Sequence, residues 1–172
     1  LLHAAAGSGG GAAALSAAML WSGGKDSTLA LHRARAGGLD VRWLFNLFDG
    51  ESGRVRFHGV RRELVALQAK ALGLEVLQLP STMADYERVF LHGLERLRDS
   101  GVADLVFGNI HLADVRAWYE ERTTGLGFNH HEPLWGSAPL DVVRQVDALG
   151  YRAIITSVDV ERAPRDWLGQ VL

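Results

Sequence analysis

The chain has 172 residues, 48% apolar and 22% charged, with a net charge of −2 and a pI near 6.4. That is ordinary globular composition, long enough for one domain with a sizeable core, and the charge balance argues against an extended nucleic-acid footprint. There is no cysteine. This excludes disulfides, thiolate metal sites, persulfide chemistry and a cysteine glutaminase within the chain, and it suits a reducing cytoplasm.

Residues 1–18 are rich in Ala and Gly and lack the basic start and continuous apolar core of a signal peptide. They are read as a disordered or non-native extension ahead of a domain over 19–172. A Gly-x-Gly-x-x-Ala pattern at Gly7, Gly9 and Ala12 has no strand before it and is read as chance. The first predicted strand, 18–21, runs into Ser22-Gly23-Gly24-Lys25-Asp26-Ser27-Thr28 and a helix over 27–36. Strands follow at 41–48, 74–79, 104–108, 130–134 and 153–158. Helices follow at 60–72, 84–99, 113–124 and 140–149, with the apolar positions Leu64, Leu67, Ala71 and Leu72 at helical spacing in the first of these. Gly37-Gly38, Gly73, Gly101 and Gly150 stand where helices stop.

The strands read as continuous apolar runs, as strands buried on both faces do. Their alternation with helices predicts a single doubly wound α/β domain, a parallel sheet with helices on both faces. No segment is apolar for long enough to cross a membrane, so a cytoplasmic protein is expected. In such a fold ligands bind beyond the carboxyl ends of the strands. The residues there are Ser22 to Thr28, Asn46, then Gly108, Asn109 and His111, then Trp135.

The loop after the first strand is the strongest signal. Glycines allow a sharp turn and close approach of backbone N–H groups, and a helix N-terminus adds free donors and partial positive charge. Together they make an anion site. It is not a P-loop, because Asp26 follows Gly24-Lys25 and Met19 occupies the place of the first glycine. A glycine turn with Asp26 or Ser27 as a plain helix cap is the bland alternative.

Ser22-Gly23-Gly24-Lys25-Asp26-Ser27 resembles the Ser-Gly-Gly-x-Asp-Ser pyrophosphate loop (PP-loop) of the ATP pyrophosphatases, which have an adenine-nucleotide α-hydrolase fold. Those enzymes split ATP between the α and β phosphates and adenylate an oxygen. The resemblance implies that Ser22, Gly23, Gly24, Lys25, Ser27 and Thr28 hold the phosphates, with Asn46 and Gly108 beside the nucleotide. Lys25, Asp26 and Ser27 would be catalytic, Lys25 neutralising the leaving pyrophosphate and Asp26 holding Mg²⁺.

Further along, Arg56-Phe57-His58, Phe107-Gly108-Asn109-Ile110, Gly125-Leu126-Gly127-Phe128 and Pro133-Leu134-Trp135-Gly136 look like the diphthine–ammonia ligase family. That resemblance covers about 19–160. It implies amidation: ATP adenylates a carboxylate, in the family that of diphthine on translation elongation factor 2, and ammonia displaces AMP. The acceptor is then an elongation-factor-like protein side chain or a small molecule. Leu112-Ala113-Asp114-Val115-Arg116-Ala117-Trp118 looks like a bacterial branch. The family's Gly-Glu-Asn-Gly-Glu-Phe-His segment does not occur, so the domain is expected to be truncated relative to that pattern. His58, Asn109, His111, Arg116 and Trp135 are the candidate substrate contacts.

Two other functions stay open at this point: a non-catalytic adenine-nucleotide sensor on the same fold, and a tRNA-modifying ligase of the same superfamily, against which the acidic charge weighs. A homodimer is allowed for. Arg54, Arg56, Arg61 and Arg62 are read as a solvated basic face. His130-His131-Glu132 is read as structural, because neighbours on a strand point to opposite faces and make a poor joint ligand set.

Overall fold

The computed structural model describes residues 15–172. The glycine pattern at 7–12 and most of the expected extension lie outside the described residues. In chain order the elements are β1 (Ser16–Leu20), α1 (Lys25–Ala36), β2 (Val41–Asp49), α2 (Arg62–Leu72), β3 (Glu75–Ser81), α3 (Tyr86–Asp99), β4 (Val102–Val106), α4 (Ala113–Gly125), β5 (Asn129–His131) and α5 (Pro139–Ala148). A short 3₁₀ turn follows at Arg165–Trp167.

The strands form one parallel sheet in the order β3-β2-β1-β4-β5. The chain winds outward from β1 to β3, then crosses back to β4 on the other side of β1. The carboxyl ends of β1 and β4 therefore diverge at the switch point, where such sheets open a crevice.

Alternation along the strands sorts side chains into two cores. Ala17 and Met19 of β1 pack with Leu29, Leu31, Val65 and Val142, on the face covered by α1, α2 and α5. Ala18 packs with Phe45, Phe90, Leu94 and Leu105, on the face covered by α3 and α4. Helices thus lie on both faces, as the strand–helix alternation predicts.

Four expectations are corrected. The domain begins before residue 19: Ser16, Ala17 and Ala18 are buried in the central strand, paired to β2 and β4. Small side chains in an Ala-rich stretch disguise a strand that must be thin because both faces are covered. The strand expected at 153–158 does not join the sheet. Its Ile154 is 61% exposed and bridges only to Val171, in a segment folded back on itself. A short apolar run is ambiguous without its neighbours. Finally, Leu64 and Leu67 of α2 face outward, and Val65 and Ala69 dock that helix instead. The strand expected at 130–134 is cut to Asn129–His131, before Pro133.

Candidate active site

β1 delivers the chain to the loop with Trp21 buried, its indole Nε1 donating to Gln68 Oε1 at 2.8 Å. Gln68 Nε2 donates to the Gly23 carbonyl at 3.2 Å, so one side chain of α2 clasps the loop from behind. Gly23 has φ +81°, and a Cβ there would lie 3.0 Å from Gln68 Oε1. That position needs glycine both for its backbone and for the clasp.

Gly24 caps α1 without any side-chain hydrogen bond, so neither Asp26 nor Ser27 acts as the helix cap. The first-turn amides of α1 are left for a ligand, with the positive end of the helix dipole behind them. The hydroxyls serve the loop itself. Ser22 Oγ donates to Ser27 Oγ at 3.1 Å, and Ser27 Oγ and Thr28 Oγ1 donate to the Gly24 carbonyl at 3.0 and 2.9 Å. Lys25 Nζ sits 2.9 Å from Asp26 Oδ1, each side chain about one-third exposed.

From the other side of the switch point, Gly108 closes on α1. A Cβ on Gly108 would come within 3.0 Å of the Ser27 backbone nitrogen and 3.1 Å of Asp26 C, so only glycine lets the two segments meet. Asn109 turns the chain here, accepting from Leu112 N at 3.2 Å and donating to its carbonyl at 2.9 Å.

Between these segments lies a cleft of about 990 Å³, at the upper end of the ~300–1,000 Å³ usual for small-molecule sites. Ser22, Gly24, Lys25, Asp26, Ser27, His58, Gly108, Asn109 and His111 all line it, although they come from three separate stretches of sequence. Desolvation by the cleft walls lowers the His58 pKa, with the Asp26 charge opposing.

Other expected residues fall elsewhere. Gly23 and Thr28 are not on the cleft surface. Asn46 lies in an adjoining recess of about 80 Å³. It is buried, its Oδ1 accepts from Gln78 Nε2 at 3.3 Å, and its Nδ2 has no protein partner. Arg116 and Trp135 are corrected as cleft contacts. Helical periodicity turns Val115, Trp118 and Tyr119 toward the cleft and Arg116 away from it. The Arg116 guanidinium lies 4.6 Å over the Trp135 ring and its Nε 3.6 Å from Glu132.

His130 and His131 diverge, the first to Thr123 and Glu132 at 3.0 and 3.2 Å, the second to Asp104 at 2.6 Å. Among the described residues no three His, Asp or Glu side chains converge as a metal cage. Asp26, ion-paired with Lys25, shares the cleft lining with two further carboxylates, Glu87 and Asp114; Mg²⁺ binds through one or two carboxylates plus phosphate oxygens.

An aromatic wall was missed by sequence reasoning. Phe57, Tyr86, Phe107, Trp118 and Tyr119 also line the cleft. The Tyr86 and Tyr119 hydroxyls meet at 2.7 Å, and burial raises both phenol pKa values. Adjacent aromatics at Trp118-Tyr119 were the available signal, and they read equally well as core. Phe57 is the non-glycine residue with positive φ, at 67°, among the described residues. Its neighbour Arg56 anchors that turn through Asp49 at 2.7 Å and through the Ser81 carbonyl.

A parallel Rossmann-like sheet with this loop at its switch point is the architecture of a PP-loop domain. The model of the diphthamide synthase N-terminal domain matches residues 15–130, and the chain belongs to that family. A comparison with curated proteins finds no match. Among solved structures, a predicted subunit of a tRNA methyltransferase from Methanocaldococcus jannaschii is similar in fold. It is 19% identical, with a TM-score of 0.53 over 77% of this chain and 76% of that one.

Proposed function

We propose that the protein is an ATP-dependent ligase that adenylates a carboxylate, releases pyrophosphate and admits ammonia, as its diphthamide synthase-type family suggests. The observation that carries this reading is the uncapped first turn of α1, with Lys25 and Asp26 on the cleft surface beside it. Binding of a nucleotide alone does not require a paired cation and carboxylate at the phosphate end. The free amides of α1 hold the phosphates, and the Lys25 ammonium takes up charge on the departing pyrophosphate. Asp26 would hold a Mg²⁺ ion, which neutralises the phosphates when bound. The aromatic side chains of the cleft lining exclude water from the acyl adenylate, whose carbonyl carbon ammonia then attacks, displacing AMP.

The test is incubation with α-labelled ATP, Mg²⁺, ammonium and candidate acceptors, carboxylates on small molecules and on elongation-factor-like protein. AMP plus pyrophosphate is expected. ADP plus phosphate overturns the reading, and tight binding without product makes the domain a nucleotide sensor.

A further inference from the structure

Helix α2 carries an apolar stripe that does not face the sheet. Val65 and Ala69 are fully buried and dock the helix, whereas Leu64 is 49% and Leu67 63% exposed and Ala71 is exposed beyond them. Positions 64, 67 and 71 follow one line along the helix, with the spacing of a two-helix seam. Single exposed leucines are ordinary, but a continuous stripe on one helix face marks a contact surface.

The charges beside the stripe say what covers it. Glu63 and Lys70 flank its outer edge seven residues apart, with opposite sign. Lys70 has no ion-pair partner among the described residues, and Glu63 meets only its exposed neighbour Arg62, at 3.0 Å. Against a parallel copy, Glu63 would face Glu63. Against an antiparallel copy, Leu64 of each helix meets Leu67 of the other and Glu63 of each faces Lys70 of the other. Both contacts then occur twice around one two-fold axis, the self-complementarity that an isologous interface requires.

We propose that a second copy of this chain docks on α2 through antiparallel helix packing. This does not rest on the reading of the cleft. The helix has 11 residues, about 16 Å of length, so the interface is at the small end of specific contacts and the dimer dissociates in the micromolar range.

Sedimentation velocity on the full chain, from about 1 to about 300 µM, brackets such a constant. Monomer at the low end and dimer at the high end are expected. Leu67→Glu is expected to remain monomeric throughout, with an unchanged melting curve. Glu63→Lys and Lys70→Glu singly should each weaken the dimer several-fold, and the double exchange should restore it. Monomer at every concentration overturns the proposal. So does a dimer that survives Leu67→Glu, or a double exchange that behaves no better than the singles.

Discussion

Gly108 is where the backbone after β4 presses directly on the backbone of α1. A methyl group there meets backbone, not a movable side chain, so the first turn of α1 must shift. Gly108→Ala is expected to weaken Mg-ATP binding about 10-fold or more, because positioning errors well under an ångström matter in such sites. Gly125→Ala, with open space around the added carbon, is the control that should leave binding unchanged. Both are read by calorimetric titration. Asp26→Asn keeps the shape of the loop and removes the charge. It should lower turnover about 10²-fold or more while nucleotide binding persists; equal survival of both would remove Asp26 from the chemistry. At this scale the loop was legible because a strand–glycine–helix junction is written in neighbouring residues. Arg116 was misplaced because which side of a helix faces the ligand depends on how that helix docks, and Trp135, in the turn after β5, lies against Arg116 instead.

Among the elements, α3 shows how closely helix meets sheet. Gly93 lies over Phe45, and a Cβ at Gly93 would fall 2.3 Å from the Phe45 ring, itself fully buried and stacked on Phe90. Alanine favours a helix over glycine by about 1 kcal/mol, but overpacking a fixed ring costs about 1–3 kcal/mol. Gly93→Ala is therefore expected to destabilise the protein despite the better helix former. Urea unfolding should show a lower midpoint at constant slope. The element types and order were legible from periodicity and helix stops. The outward face of α2 was not, because a helix with leucines on one line and Val65 and Ala69 on another offers two apolar faces, and only docking chooses between them.

At the scale of the whole molecule, His58, exposed on the cleft lining, contributes one pH dependence. Desolvation lowers the His58 pKa below its ordinary value of 6.5, so the folded state favours the neutral ring. That contribution is complete above pH 6.5 and is lost as pH falls from there through the folded value. Melting temperature should thus fall between pH 7.5 and 5, and the fall should be smaller in His58→Gln. An equal fall in both proteins would assign it to other groups. Among the described residues no helix is long and apolar enough to cross a membrane.

The amino-acid sequence by itself determined the fold class, the order of the principal elements and the glycine junction at Ser22–Thr28 between β1 and α1. These follow from patterns within a few residues: apolar period, helix stops, and a strand–glycine–helix junction. Only the tertiary structure decided that Ser16 and Ala17 belong to the central strand, that 153–158 stays outside the sheet, and that five aromatics from four segments line one cleft. Those are questions of which surfaces meet, and the meeting depends on contacts between residues far apart in the chain. The Ser22–Thr28 loop is a local invention of the chain, whereas the cleft it serves exists only where β1 and β4 part.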